Sequence, residues 1–147
     1  MSHVATVDLH IMDMAALKAA CETLGLEFRE GQLTFRWYGT IVGDYPLPQG
    51  FAVSDMGQCE HAIGIKDNDR AYELGVVRRR DGKPGYLLMY DNWRGGFGLE
   101  ATIGQKAGKL KQQYAAQVAA SQARKQGYRV SQSHQADGSL RLVCTRG

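Results

Sequence analysis

Cys59 and His61 are the nearest approach in this sequence to a nucleophile and its base, or to a pair of metal ligands. A thiolate–imidazole pair works only where the two side chains meet, and residues i and i+2 of a strand share a face about 7 Å apart. A structural zinc needs four ligands, usually in two spaced pairs. No second pair accompanies Cys59 and His61, and His3, His10 and His134 are scattered along the chain. The expected roles are packing for Cys59 and a surface or hydrogen-bonding position for His61. A thiol or metal enzyme centred there is the least favoured functional reading, and no catalytic residue, metal or cofactor is assigned.

Anion chemistry has better candidates. Trp93 and Arg94 precede Gly95-Gly96-Phe97-Gly98, where glycines can expose backbone N–H groups beside a helix start. Trp93 offers a ring for stacking, and Arg94 with Lys106, Lys109 and Lys111 offers charge for phosphate. The competing reading has Trp93 anchoring a helix to a sheet while Asp91 caps the turn. The run Gly104-Gln105-Lys106-Ala107-Gly108-Lys109 resembles a phosphate loop but is one residue short, and Leu110 stands where a Mg²⁺-binding Ser or Thr belongs. Both of its glycines are expected inside a helix, so a nucleotide triphosphatase is set aside. Arg78-Arg79-Arg80 beside a turn reads as charge that solubilises strand ends.

The elements that must position these residues are legible from periodicity. Ala5, Val7, Leu9 and Ile11 alternate with polar neighbours as in a half-buried strand. Asp13 stands at a helix N-cap, Met14, Leu17, Cys21 and Leu24 follow at helical spacing, and Gly25 ends the helix. Strand character returns from Leu26, with Leu33, Phe35 and Trp37 alternating against Thr34, Arg36 and Tyr38. Residues 39–58, broken by glycines and prolines, form an irregular excursion. A loop that long is usually functional or poorly ordered.

Strands follow at Ala62–Ile65 and Tyr72–Arg78, and Asp81-Gly82 turns the latter into Tyr86–Tyr90 as a hairpin. Thr102 and Gln105 make a capping box. Ile103, Ala107, Leu110, Tyr114 and Val118 then form the apolar stripe of a helix ending at Gly127. At 1.5 Å per residue, roughly 24 residues give a rod of about 36 Å. A last hairpin, Tyr128–His134 with Ser139–Cys144, turns at Asp137-Gly138.

The order is β-α-β-β-β-β-α-β-β, an α+β fold in which two helices cover one face of an antiparallel sheet. The 147 residues make one domain, 1–147, able to bury a core without disulfides or metal. No apolar run approaches the roughly 20 residues of a membrane span, and the N-terminus lacks the features of a signal peptide.

The net charge of +3 conceals a division. Residues 1–100 carry 10 Lys and Arg against 14 Asp and Glu, whereas residues 101–147 carry 8 against Asp137 alone. A basic C-terminal third suits nucleic acid, an anionic ligand or an acidic partner, or else balances the rest of the molecule. Three widely spaced cysteines argue against a disulfide framework and for a reducing cytoplasm. Cys21 and Cys144 read as core residues.

Several segments in this order resemble a known family. They are Met1-Ser2-His3 opening into a strand, the helix from Asp13 to Gly25, Asp91-Asn92-Trp93 after a meander, the helix from Gly104 through Tyr114, and the closing Gly127-Tyr128…Asp137-Gly138-Ser139 hairpin. Together they are similar to domain-of-unknown-function family 1257, which includes the plastid and cyanobacterial hypothetical chloroplast reading frame thirty-five proteins. Cys59-Glu60-His61-Ala62-Ile63 and Gly108-Lys109-Leu110-Lys111 resemble the members carried by bacteriophages most. The resemblance implies a small α+β domain and transfers no catalytic residue. A phage-like member implies a partner in the host. The leading expectation is a non-enzymatic cytoplasmic protein that binds a macromolecular partner, a host protein for a phage-like member. The alternative is a nucleic-acid or nucleotide binder using Trp93, Arg94, Lys106, Lys109 and Lys111.

Overall fold

The computed structural model describes residues 4–39 and 47–146. His3 and the part of the expected excursion at 40–46 lie outside them. The elements run β1 (Val4–Ile11), α1 (Met14–Thr23), β2 (Leu26–Arg29), β3 (His61–Ile65), β4 (Leu74–Arg78), β5 (Tyr86–Asp91), α2 (Leu99–Ile103), α3 (Gly108–Lys125), β6 (Tyr128–His134) and β7 (Leu140–Arg146). The α+β class, antiparallel pairing and order of the main elements match the sequence expectation.

The first five strands form one sheet in the order β1-β5-β4-β3-β2, every neighbour antiparallel. The last hairpin stands apart as a two-stranded ribbon. It rests on α3, with the Gln112 amide donating to the Gly138 carbonyl at 3.2 Å.

Helices cover one face of the sheet. Leu17 and Cys21 of α1, Leu99 and Ile103 of α2, and Leu110 and Tyr114 of α3 meet Val7, Ile63, Leu74, Val76 and Leu88 in one core. Asp13 caps α1 as its sequence position requires, accepting from Ala16 N–H at 2.9 Å. The Tyr114 hydroxyl joins α3 to that end of α1, accepting from the N–H groups of Met12 at 3.1 Å and Asp13 at 3.2 Å.

The opposite face has its own apolar cluster of Phe35, Met56, Ala62, Val77, Leu87 and Met89, with Trp37, Phe51 and Cys59 packed against it. The chain flanking the undescribed 40–46 segment therefore lies over this second face.

Three expectations give way. Leu33–Trp37 is no strand; it makes one isolated bridge, Thr34 with Gln58, while its alternation still drives Phe35 inward. It crosses over the sheet instead of joining an edge, so its backbone finds other partners. Phe35 N–H donates to Gly57 O at 2.8 Å, and Cys59 N–H donates to Leu33 O at 2.9 Å. Gly75 admits the Phe35 ring, since a Cβ there would lie 2.4 Å from its Cδ1.

The expected single helix from Thr102 is broken. Gly104 ends α2 with φ +86°, Lys106 and Ala107 adopt left-handed angles, and α3 begins at Gly108 with 18 residues. Thr102 forms no capping box; its hydroxyl donates to Gly98 O at 3.0 Å. The kink lets Ile103, Ala107 and Leu110 all be fully buried.

Cys144 is exposed, and the ribbon that carries it contributes to neither apolar cluster of the sheet. Cys21 is buried as expected, and burial pushes its thiol up to about 12.

Candidate functional site: the basic C-terminal face

Cys59 and His61 do not form a pair. Cys59 precedes β3 and packs with the loop-covered face, its thiol donating to Gln32 O at 3.2 Å. Burial, with the nearby Glu73 charge, pushes that thiol up to about 12, so it stays protonated at neutral pH. His61 stands opposite Val76 on the helix-covered side, between the rings of Phe28 and Tyr86, and its Nδ1 accepts from Gly31 N–H at 2.9 Å. Among the described residues no three His, Cys, Asp or Glu side chains gather as a metal site would need.

Trp93 is half-buried against the helix-side core, and the Arg94 guanidinium lies 5.5 Å from its ring centre. Asp91 accepts from Trp93 N–H at 2.9 Å and Tyr38 N–H at 3.0 Å, so it braces the turn and ties down the crossing segment together. From Arg94 to Phe97 the chain makes one left-handed turn, with φ of 50°, 63°, 63° and 56°. An L-residue pays about 1–2 kcal/mol for such angles, which explains glycines at the two central positions. The turn spends polar groups internally: Gly95 N–H donates to Asn92 O, and Gly96 O accepts from Tyr72 N–H, both at 2.9 Å. Arg94 and Trp93 thus lie at the entry of α2, while Lys106 and Lys109 lie near its exit.

The arginines of the 78–80 run are each matched by an acid. Arg78 pairs with Glu60 at 3.1 Å, Arg79 with Asp81 at 2.6 Å, and Arg80 with Asp55 at 3.0 Å. Arg80 also lies 4.4 Å over the Phe51 ring. On the same side of the sheet Glu73 is 2% exposed. It accepts from Arg29, from the Gln32 amide at 3.0 Å and from Arg36 N–H at 2.7 Å. Burial works to raise its pKa, but these donors outweigh it and leave the carboxyl below its ordinary range.

Sequence reasoning missed Glu73 as an organising residue, and for Asp91 it gave the turn but not the hold on the crossing segment through Tyr38 N–H. Their signal was present: an acid at each end of the apolar strand pair, where carboxylates are seldom buried unless paired.

The C-terminal third is different. Lys106, Lys109, Arg124, Lys125, Arg129, Arg141 and Arg146 are exposed and Lys111 is half-exposed. Among the described residues none of these eight cations pairs with a carboxylate. Lys109 reaches only the Ala101 carbonyl, at 3.3 Å, and Arg146 lies 5.1 Å over the Tyr128 ring. Asp137, the one acid of this third, accepts from Ser139. Val130, Leu140 and Leu142 are half-buried on one side of the ribbon, whereas Arg129 and Arg141 alternate onto the other side, where Val143 is 38% exposed. The C-terminal third thus presents cations that no carboxylate among the described residues meets, with Val143 exposed beside Arg129 and Arg141 on one side of the ribbon.

The family model described as "Protein of unknown function (DUF1257)" matches residues 48–143, more than half of the chain. That stretch runs from the second face of the sheet through α3 and most of the ribbon. No curated protein and no solved structure matches.

Proposed function

The chain belongs to the DUF1257 family, whose function is unknown, and from that premise we propose that it is a non-enzymatic binding protein whose basic C-terminal face docks on an acidic protein surface. The observation that carries this reading is the contrast in how charge is used. Among the described residues, five of the ten Lys and Arg up to residue 100 (Lys18, Arg29, Arg78, Arg79 and Arg80) pair with an acid of the same chain, whereas none of the eight after residue 100 does. Side chains left as open donors give an anionic partner both steering and register.

Exposed Val143, on the same side of the ribbon as Arg129 and Arg141, favours a protein over a nucleic acid, because protein interfaces combine apolar contact with arginine. The nucleic-acid reading also needs a free stacking ring, and Trp93 is half-buried beneath Arg94. Lys106 and Lys109 remain available to it. The resemblance to phage-borne members supports a partner in a host cytoplasm. Among the described residues no helix is long and apolar enough to cross a membrane.

The test is capture from host extract by immobilised protein, compared with an Arg129→Glu/Arg141→Glu variant. The expected result is one retained acidic protein, insensitive to nuclease, weakened by salt and lost in the variant. Retention that disappears with nuclease treatment assigns the face to nucleic acid instead. Retention unchanged in the variant removes the face from the function.

A further inference from the structure

Building on the acidic-partner reading above, we propose that the partner is held as a third strand of the β6–β7 ribbon. An extended segment in which acidic and apolar residues alternate lies along the outer edge of β7. Among the described residues the ribbon is a sheet of two strands alone, so both of its edges are open. A lone pair of strands is only marginally stable in water, and a third strand adds to it.

The turn sets which backbone groups each edge presents. Gln135 N–H donates to Ser139 O at 2.8 Å, and Gly138 N–H donates to Gln135 O at 3.0 Å. From this closing pair the register runs unbroken, from His134 with Leu140 through to Tyr128 with Arg146. Bonded and non-bonded pairs alternate along an antiparallel ladder. Ser133 with Arg141, Ser131 with Val143 and Arg129 with Thr145 are therefore bonded within the ribbon. The N–H and C=O groups of Leu140, Leu142 and Cys144 point out from β7.

The side chains choose the edge and its occupant. β7 carries Arg141 and Val143 on one side, and its residues 143–146 are all exposed. β6 has Ser133 and Ser131 opposite them, and its Tyr128, Val130 and Gln132 are half-buried. A strand beside β7 sends alternate side chains to the two sides of the ribbon. On one side they lie beside Arg141, which no carboxylate among the described residues meets, and opposite charges on neighbouring strands attract. On the other side they lie beside half-buried Leu140 and Leu142, where apolar residues gain burial. Acid toward one side and apolar toward the other is the alternation the edge selects. Arg141 also blunts the edge against basic strands, as charges on edge strands do.

Fluorescence anisotropy with a labelled, alternating Glu-Val peptide tests this on the whole chain. The expected result is saturable binding, weakened by salt, with an alternating Lys-Val peptide left unbound. Cys144→Pro removes one outward N–H at an exposed edge position and no bond within the ribbon, a place where proline is tolerated. It weakens binding about tenfold or more, as does Arg141→Glu, whereas Cys144→Ser binds as the parent does. N-methylating one alternate set of peptide residues abolishes binding and N-methylating the other set spares it, a readout that leaves the protein untouched. Absence of binding overturns the proposal. So does binding that Arg141→Glu removes but that Cys144→Pro and both N-methylated peptides leave unchanged, an outcome that keeps the acidic partner and discards the added strand. A dimer of the chain alone that Cys144→Pro dissolves gives the edge to a second copy and overturns it as well.

Discussion

Replacing Glu73 with Gln tests whether a buried carboxylate holds the crossing segment onto the sheet. Glu73 lies beside β4 at 2% exposure and gathers donors from three places: Arg29, the Gln32 amide and Arg36 N–H. Its own N–H donates to Arg36 O at 3.0 Å, so the segment is bound from both sides. Gln keeps the shape and one acceptor, but it turns an NH₂ group toward donors and removes the charge facing Arg29. A hydrogen bond to a charged group is worth about 1.5–3 kcal/mol, and breaking a buried ion pair costs about 3–5 kcal/mol. Arg29 retains Glu27 at 2.9 Å, which places the expected loss at the lower end, about 3 kcal/mol.

Urea denaturation followed by tryptophan fluorescence reads that loss directly. Glu60→Gln serves as control, since its pair with Arg78 is exposed and worth less than about 1 kcal/mol. The same variant has a pH signature. The Glu73 carboxyl titrates below its ordinary value in the folded chain, so the unfolded chain binds its proton first as pH falls. Its stabilisation is complete above the ordinary carboxyl pKa of 4.5 and is lost as pH drops through the lower folded value. The acid limb of the stability curve is accordingly flatter in Glu73→Gln. A loss below about 1 kcal/mol, typical of an exposed pair, with an unchanged acid limb, would refute the reasoning.

Three further outcomes follow from the packing. Gly75→Ala puts a methyl 2.4 Å from the Phe35 ring and is expected to cost about 1–3 kcal/mol by denaturation, unless Phe35 is displaced and its burial lost with it. Tyr114→Phe leaves the N–H groups of Met12 and Asp13 without their shared acceptor, a loss of about 1–3 kcal/mol seen as a lowered Tm. A maleimide at mildly alkaline pH is expected to label Cys144 quickly and Cys21 and Cys59 slowly, because the last two thiols are pushed up to about 12 while Cys144 is exposed. Mass spectrometry of early time points checks the order of labelling.

Short-range rules were enough for much of this chain. The Asp13 cap, the Gly25 and Gly127 stops, the Asp81-Gly82 and Asp137-Gly138 turns and the Leu110–Tyr114 stripe depend on neighbours a few residues apart, and each stands where its spacing put it. The charge division at residue 100 was equally visible, and so were the eight cations that make up the candidate face.

What the tertiary structure decided depends on residues far apart in sequence. Alternation at Leu33–Trp37 states only that one side is apolar, and whether that side joins a sheet edge or lies over a sheet face is settled by Glu73, Asp91 and the space at Gly75. Helical periodicity continues through Ile103, Ala107 and Leu110, yet burying all three together requires the left-handed kink at Lys106–Ala107. Cys59 and His61 would share a face within one strand, but β3 begins only at His61, and Cys59 before it packs on the opposite face. That the C-terminal cations meet no acid among the described residues is likewise a fact of packing, since composition counts charges but only the fold sets the distance between them.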